Sequence, residues 1–311
     1  MLRKSLLYLS RQHGIFEFIR GNGFARKMAS RFVAGETIDS ALDAVVALNA
    51  KGIKGTLDLL GESTSTEAEA RETGRQYLEI LDKIHERKLD ANVSVKLTAL
   101  GQDVSDKLGM EVIRSVLERA KEYDTFVRLD MESSAYTDRT LDPFEHELYP
   151  DYRENVGIVL QSSLRRTAND VERAIRLQCR VRLCKGAYLE AADVAFPDKG
   201  DVDRSYVEEM KALIERGHYP GLATHDEVII NEAKRWVKEK GIGNDRFEFQ
   251  MLYGVRRDLQ EQLVKEGYRM RVYVPFGTQW YPYLMRRLAE RPANMAFMAG
   301  NIMKEAFKKK S

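Results

Sequence analysis

The chain has 311 residues and a mass of 35.7 kDa, enough to build one large core of the barrel kind. Hydrophobic residues make up 43% and charged residues 32%, with only 7 Pro, which excludes a disordered or fibrous chain. Fifty Lys and Arg against 48 Asp and Glu leave a net charge of +2, too weak a field to grip a phosphate backbone, so nucleic acid is not expected as a partner.

The first stretch, MLRKSLLYLSRQHGIFEF, has neither a long apolar run nor a small-residue cleavage site, and no segment holds the roughly 18 uninterrupted apolar residues of a membrane span. A cytoplasmic protein is expected. Residues 1–50 read as helices that flank or plug the main domain: SLLYLSRQHGIFEFIR, then TIDSALDAVVALNAKG with Thr37 as its cap. Residues 51–305 are expected to form that domain, and the tail AFKKKS over 306–311 to fray.

From residue 53 onward, short β-branched runs alternate with longer segments of helical apolar spacing, the mark of βα units around a parallel sheet. The strands fall at 53–60, 92–97, 126–131, 156–161, 180–185, 221–225, 247–252 and 270–276. Amphipathic crossovers lie at 66–88, 109–122, 168–177, 203–216, 227–240 and 256–266. Eight such repeats in about 250 residues fit an α/β chain closed as a (β/α)8 TIM-type barrel, with extra N-terminal helices. The competing open sheet would carry a G-x-G-x-x-G turn after its first strand, and none is present. The two cysteines, Cys179 and Cys184, lie near one strand and read as reduced core thiols.

In a barrel, catalytic groups sit at the C-terminal strand ends, and side chains alternate between the axis and the surrounding helices. One parity holds Val93, Val95, Leu97, Val127, Leu129, Val181, Leu183, Phe247, Phe249, Val272 and Val274, suited to packing under helices. The other carries Asn92, Ser94, Lys96, Arg128, Asp130, Arg182, Glu248, Gln250, Arg271 and Tyr273. So much interior charge must be paired or must face a polar ligand. The deeper Arg128, Glu248 and Arg271 are expected to pair structurally, and Lys96, Asp130, Arg182 and Gln250, nearer the rim, to build a site.

After the last strand, Tyr283, Arg286, Arg287 and Glu290 share one helix face, and the paired guanidinium groups suit a carboxylate or phosphate. His225 ends a strand and could act as a base, a ligand or a hydrogen-bond donor; with no second His or Cys at ligand spacing, no metal site is expected. His13, His85, His146 and His218 read as structural or exposed. Lys96 and Lys185 at strand ends also permit a Schiff-base lyase or aldolase without a cofactor, and a non-catalytic amino-acid-binding barrel is the third reading.

Five segments in order, RVRLCKGAYLE (180–190), ATHD (223–226), FEFQMLYGVR (247–256), RVYVPFG (271–277) and YPYLMRRLAERPAN (281–294), resemble the proline dehydrogenase family, with support from VSVKLTALG and RLDME. The resemblance runs from about residue 50 to 300 and implies a distorted (β/α)8 barrel that holds FAD at its strand ends and oxidises L-proline to Δ1-pyrroline-5-carboxylate. It implies that Lys96, Arg286 and Arg287 clamp the substrate carboxylate, that Tyr273, Tyr283, Leu183, Leu252 and Tyr188 wall its ring, and that Glu290 pairs with a clamp arginine. Arg182 would stand beside the reactive flavin nitrogen, and Asp130 would be the active-site acid that orients Lys96 or the clamp. Met131, Gln161, Lys185, Gly186, Ala187, Thr224, His225 and Gln250 match positions that contact FAD, with Gly186 permitting close approach to the pyrophosphate.

The implied chemistry is hydride transfer from the ring carbon next to nitrogen, starting from the neutral amine. The side chain of Tyr273 would crowd a ring hydroxyl, which favours proline over 4-hydroxyproline. A quinone would accept the electrons through transient contact with the inner face of the membrane. A separate pyrroline-5-carboxylate dehydrogenase would take the product, since the chain ends at 311 without a second catalytic domain.

Overall fold

In the computed structural model, residues 29–61 and 63–285 are described in full, and residues 286–290 as helical backbone alone. Eight parallel strands close into a barrel in simple order, β1 Lys54–Leu59, β2 Ala91–Val95, β3 Val127–Leu129, β4 Val156–Gln161, β5 Arg180–Cys184, β6 Gly221–Ala223, β7 Glu248–Leu252 and β8 Met270–Phe276. Closure is made by β1, in which Thr56 is in register with Asn92 on one side and with Tyr273 on the other. All eight expected strands are present, β4 and β8 at the expected bounds.

The alternating pattern works as elementary packing requires. Val93, Val95, Val127, Leu129, Val181, Leu183, Phe249, Val272 and Val274 lose nearly all contact with water in a shell between strands and helices. Full burial of each such side chain stabilises by about 1.5–3 kcal/mol. The helical side of that shell comes from stripes such as Tyr77, Ile80 and Leu81 on α2 (Glu67–Glu86) and Val112, Val116 and Leu117 on α3 (Asp106–Glu122).

The caps are local and legible. Thr37 accepts from the Ser40 N–H and starts α1 (Ile38–Asn49), while Thr66 and Glu69 form a capping box on α2. Helix α1 packs on β1 and β8, where Val45 touches the face of Gly55. The expected helix within residues 5–20 and the tail 306–311 lie outside the described residues.

One connection departs from the simple alternation. Between β3 and β4 the chain forms short pieces: a 3-10 turn at Ser134–Tyr136, α4 (Thr137–Pro143), a π-helical turn at Phe144–Leu148 and α5 (Tyr149–Tyr152). Pro143 and Pro150 interrupt any long apolar period there, so the sequence shows no crossover helix. The remaining crossovers are α6 (Thr167–Leu177), α7 (Lys199–Arg216), α8 (Glu227–Lys240) and α9 (Arg257–Lys265), followed by α10 (Trp280–Glu290) after β8.

Candidate active site

The second strand parity fills the barrel interior with polar groups, and register decides which of them meet. Arg182 on β5 donates from Nη1 to Asp130 Oδ1 at 2.7 Å and to Ser94 Oγ at 3.1 Å, and from Nε to Gln250 Oε1 at 2.6 Å. Asp130 also accepts from Ser94 Oγ at 2.6 Å and, on Oδ2, from the Tyr273 hydroxyl at 2.7 Å. The guanidinium carbon of Arg182 lies 5.1 Å from the Tyr273 ring centre. Side chains from five positions around the barrel thus converge on one carboxylate and one guanidinium.

Asp130 thus accepts three hydrogen bonds, two on Oδ1 and one on Oδ2. Burial, reinforced by the Asp130 charge, pushes the Tyr273 phenol well above its usual range, so the hydroxyl keeps its proton and remains a donor. The Arg182 Nη2 group has no acceptor among the described residues.

Lys96, one residue beyond β2, places Nζ 3.1 Å from Asp58 Oδ1 on β1, and both side chains are almost fully buried. Burial pushes the Asp58 carboxyl up, against the pull of Lys96 and with the nearby Asp130 adding to the rise. Asp58 is absent from the set the sequence nominates, although Thr56 and Asp58 alternate with Leu57 and Leu59 in the manner of the other strands. Asp58 pairs with the Lys96 ammonium, and Asp130 accepts from Arg182 and Tyr273.

Below this layer, Glu248 accepts from Arg271 Nε at 2.7 Å, as expected of a structural pair. Arg128 behaves otherwise. Its Nη1 donates to the carbonyls of Ile158 and Arg180, its guanidinium lies over Phe126, and it makes no ion pair among the described residues. Burial and the neighbouring guanidinium groups press it down to about 9. Gly157 admits this arrangement, since a Cβ there would stand 2.8 Å from Arg128 Nη1.

The rim beyond β4, β5 and β6 holds most of the expected cofactor positions. Gly186 adopts a φ of +102°, and a Cβ on it would lie 2.3 Å from Ser163 Oγ and 3.2 Å from Gln161 Oε1. Gln161 is buried and donates to the Glu132 carbonyl at 2.8 Å. Lys185 is held by Asp203 at 2.6 Å and Asp226 at 2.9 Å, and Asp226 also caps α8 through the Val228 N–H. Thr224 accepts from the Asp226 N–H. The Leu252 N–H donates to His225 Nε2 at 3.0 Å, which selects the neutral ring protonated on Nδ1. Met131 is buried, and Ala187 and Tyr188 are half-buried along the loop after β5. That loop is tied back by Glu190, which accepts from the Ser134 N–H and hydroxyl at 2.8 and 2.6 Å.

Leu252 lies on the parity of Gln250 and faces the interior, and Tyr283 is buried on α10. Leu183 requires a correction. It neighbours Arg182 in the strand and so points outward, fully buried in the shell beneath Tyr206, and cannot wall a ligand inside the barrel. Cys179 is a buried thiol that burial pushes up to about 12, whereas Cys184 is only partly buried at the strand end. The side chains of Arg286, Arg287 and Glu290 lie outside the described residues, although the α10 backbone carries all three.

Residues 41–300 match the family profile described as Proline dehydrogenase. The chain is 43% identical over 305 residues to Proline dehydrogenase 1 of Bacillus subtilis subsp. natto, covering 98% of this chain and 100% of that one. It is 43% identical over 307 residues to Proline dehydrogenase of Deinococcus radiodurans, covering 98% of each. Among solved structures, it is similar to proline utilization A (PutA) from Bdellovibrio bacteriovorus inactivated by N-propargylglycine, with a TM-score of 0.81 and 29% identity over 90% of this chain and 34% of that longer one.

Proposed function

The chain belongs to the proline dehydrogenase family, and on that premise we propose that it carries out the first step of proline degradation, the oxidation of L-proline to Δ1-pyrroline-5-carboxylate, with FAD as cofactor. The observation that supports this most directly is the Arg182–Asp130–Tyr273 constellation at the C-terminal end of the barrel.

The residues present fit a flavin dinucleotide. Arg182 keeps an Nη2 group without a protein acceptor among the described residues, so a donor remains for an electron-rich ring. Gly186 takes a φ of +102° with Ser163 and Gln161 packed against it where a Cβ would stand, so only glycine lets the loop after β5 run this close to the rim, beside which a pyrophosphate would lie. Arg182, Gln250, Met131, Gln161, Lys185, Gly186, Ala187, Thr224 and His225 would hold the group, with the Lys185 ammonium fixed at the rim by Asp203 and Asp226. Bound FAD supplies the two-electron acceptor for hydride from the ring carbon next to nitrogen.

The chain's own residues bind and orient. Lys96, held by Asp58, presents a buried cation to the substrate carboxylate, and Arg286 and Arg287 on α10 complete the clamp, with Glu290 as their counter-charge. Tyr273, Tyr283, Leu252 and Tyr188 wall the pyrrolidine ring and fix which carbon faces the cofactor. Asp130 holds Arg182 and Tyr273 in place. The substrate amine must be neutral to release hydride, so proline reacts after it has lost its ammonium proton.

The acceptor that regenerates the enzyme is, on this reading, a quinone reached by transient membrane contact. Among the described residues no helix is long and apolar enough to cross a membrane. The ion pairs of Lys96 and Lys185 weigh against a Schiff-base lysine, since an ammonium held by carboxylate has no free lone pair.

An absorption spectrum of the purified protein, before and after anaerobic addition of L-proline, tests the proposal. Flavin bands that bleach are the expected result. A protein that stays colourless after incubation with FAD would overturn it, and borohydride trapping on lysine would then be the next measurement.

A further inference from the structure

We propose that Glu248, on the floor of the polar interior, is a positioning residue for Arg182 that acts through the amide of Gln250, and that Gly221 lacks a side chain because that amide occupies its space. The inference rests on the proposed function, in which Arg182 stands beside the flavin.

Glu248 Oε1 accepts from Gln250 Nε2 at 2.7 Å and from Arg271 Nε at 2.7 Å, and Oε2 accepts from the Tyr219 hydroxyl at 3.1 Å. An ionised carboxylate can only accept, so it admits the Gln250 amide in one orientation, with NH2 toward Glu248. The amide oxygen then faces β5, where it accepts from Arg182 Nε at 2.6 Å. The reversed amide would set acceptor against acceptor at one end and donor against donor at the other, in a buried place where neither is replaced by water.

Arg182 is therefore gripped from two sides, by Asp130 and Ser94 through Nη1 and by Gln250 through Nε. Arg271 braces the base of this chain by donating from Nη1 to the Gly55 carbonyl at 2.7 Å. Gly221, in register with both Arg182 and Glu248, sits across from the amide. A Cβ at that position would stand 2.4 Å from Gln250 Nε2 and 2.8 Å from its Cδ. A Glu248 that served only as counter-ion to Arg271 would require neither the fixed amide nor the glycine.

The test uses the full chain reconstituted with FAD and reads the two-electron midpoint potential of the flavin in the parent, R182M, E248Q, G221A and the E248Q/R182M double variant. R182M is expected to make reduction less favourable, because a cation beside the reduced ring is lost. E248Q and G221A are expected to shift the potential in the same direction by about tenfold in the redox equilibrium, about 30 mV for a two-electron couple. E248Q is expected to add nothing to R182M, as two residues acting on one group should.

Variants that lose thermal stability yet keep the parent potential would overturn the proposal, as would full additivity of E248Q with R182M. If E248Q does not fold, G221A, which leaves every charge in place, decides. A parent chain that takes up no FAD overturns the flavin reading and this inference together, whereas a normal parent with unmoved variants overturns this inference alone.

Discussion

Tyr273 on β8 donates to Asp130, one residue beyond β3, at 2.7 Å while its ring lies 5.1 Å from the guanidinium carbon of Arg182, so one side chain joins the acid, the cation and the apolar wall of the site. Tyr273→Phe keeps the ring and removes the donor. Asp130 keeps Arg182 and Ser94 on Oδ1 and loses only the donor on Oδ2, so the fold should change little, while the loosened ring and acid should lower kcat/KM for proline by about tenfold, ~1.4 kcal/mol of transition-state stabilisation. An unchanged kcat/KM would show that the hydroxyl is not used.

Lys96→Met leaves the Asp58 carboxylate buried without its cation. Removing one partner of a buried pair costs about 3–5 kcal/mol, and Lys96→Met/Asp58→Asn should recover much of it. Burial already holds the Asp58 carboxyl above its ordinary value. The unfolded chain therefore gives up this proton first, and the loss in the single variant should grow as pH rises through the carboxylate range. Urea unfolding at two pH values measures it.

Glu209 on α7 is buried, accepts from Ser205 Oγ at 2.9 Å on one oxygen, and has no partner for the other among the described residues. Burial first, then Glu208 and Asp170, push its carboxyl up to about 8. The folded state holds this proton after the unfolded state has released it, so stability should fall as pH rises from about 4.5 to about 8. Glu209→Gln should flatten that part of the profile and raise the melting temperature at pH 8. A parallel decline in both proteins would refute this assignment.

Gly186→Ala places a Cβ 2.3 Å from Ser163 Oγ at a φ that L side chains rarely adopt. The strain, about 1–3 kcal/mol, falls on the rim and not on the shell. FAD should bind about tenfold or more weakly by fluorescence titration, with the barrel still folded by circular dichroism. Equal affinity would remove Gly186 from the cofactor site.

Arg286→Met and Arg287→Met should mainly raise KM for proline, since the shared face of α10 is read as a carboxylate clamp. Steady-state kinetics on each variant checks this, and an unchanged KM would withdraw the clamp.

Eight strands, their parity and the cap at Thr37 are legible in the sequence because they follow from local periodicity and side-chain chemistry. The short pieces over 134–152 are not, because two prolines erase the period and tertiary packing supplies the order. At the site, Arg182, Asp130, Gln250 and Tyr273 stand out as polar residues on one parity. Asp58 shares that alternation on β1 but lies outside the motifs that carry the family resemblance, and Leu183 falls on the apolar parity while the resemblance places it at the ligand.

Which faces of the strands are polar, how many βα units there are and which motifs the chain shares with its relatives are all properties of the sequence. Only the closed barrel decided partners: that Lys96 meets Asp58, that Asp130 meets Arg182 and Tyr273, and that Glu248 reaches Arg182 through Gln250. The reason is geometric. Alternation along a strand is set by the residue's own backbone, whereas a hydrogen bond across the interior depends on the register of strands up to 143 residues apart.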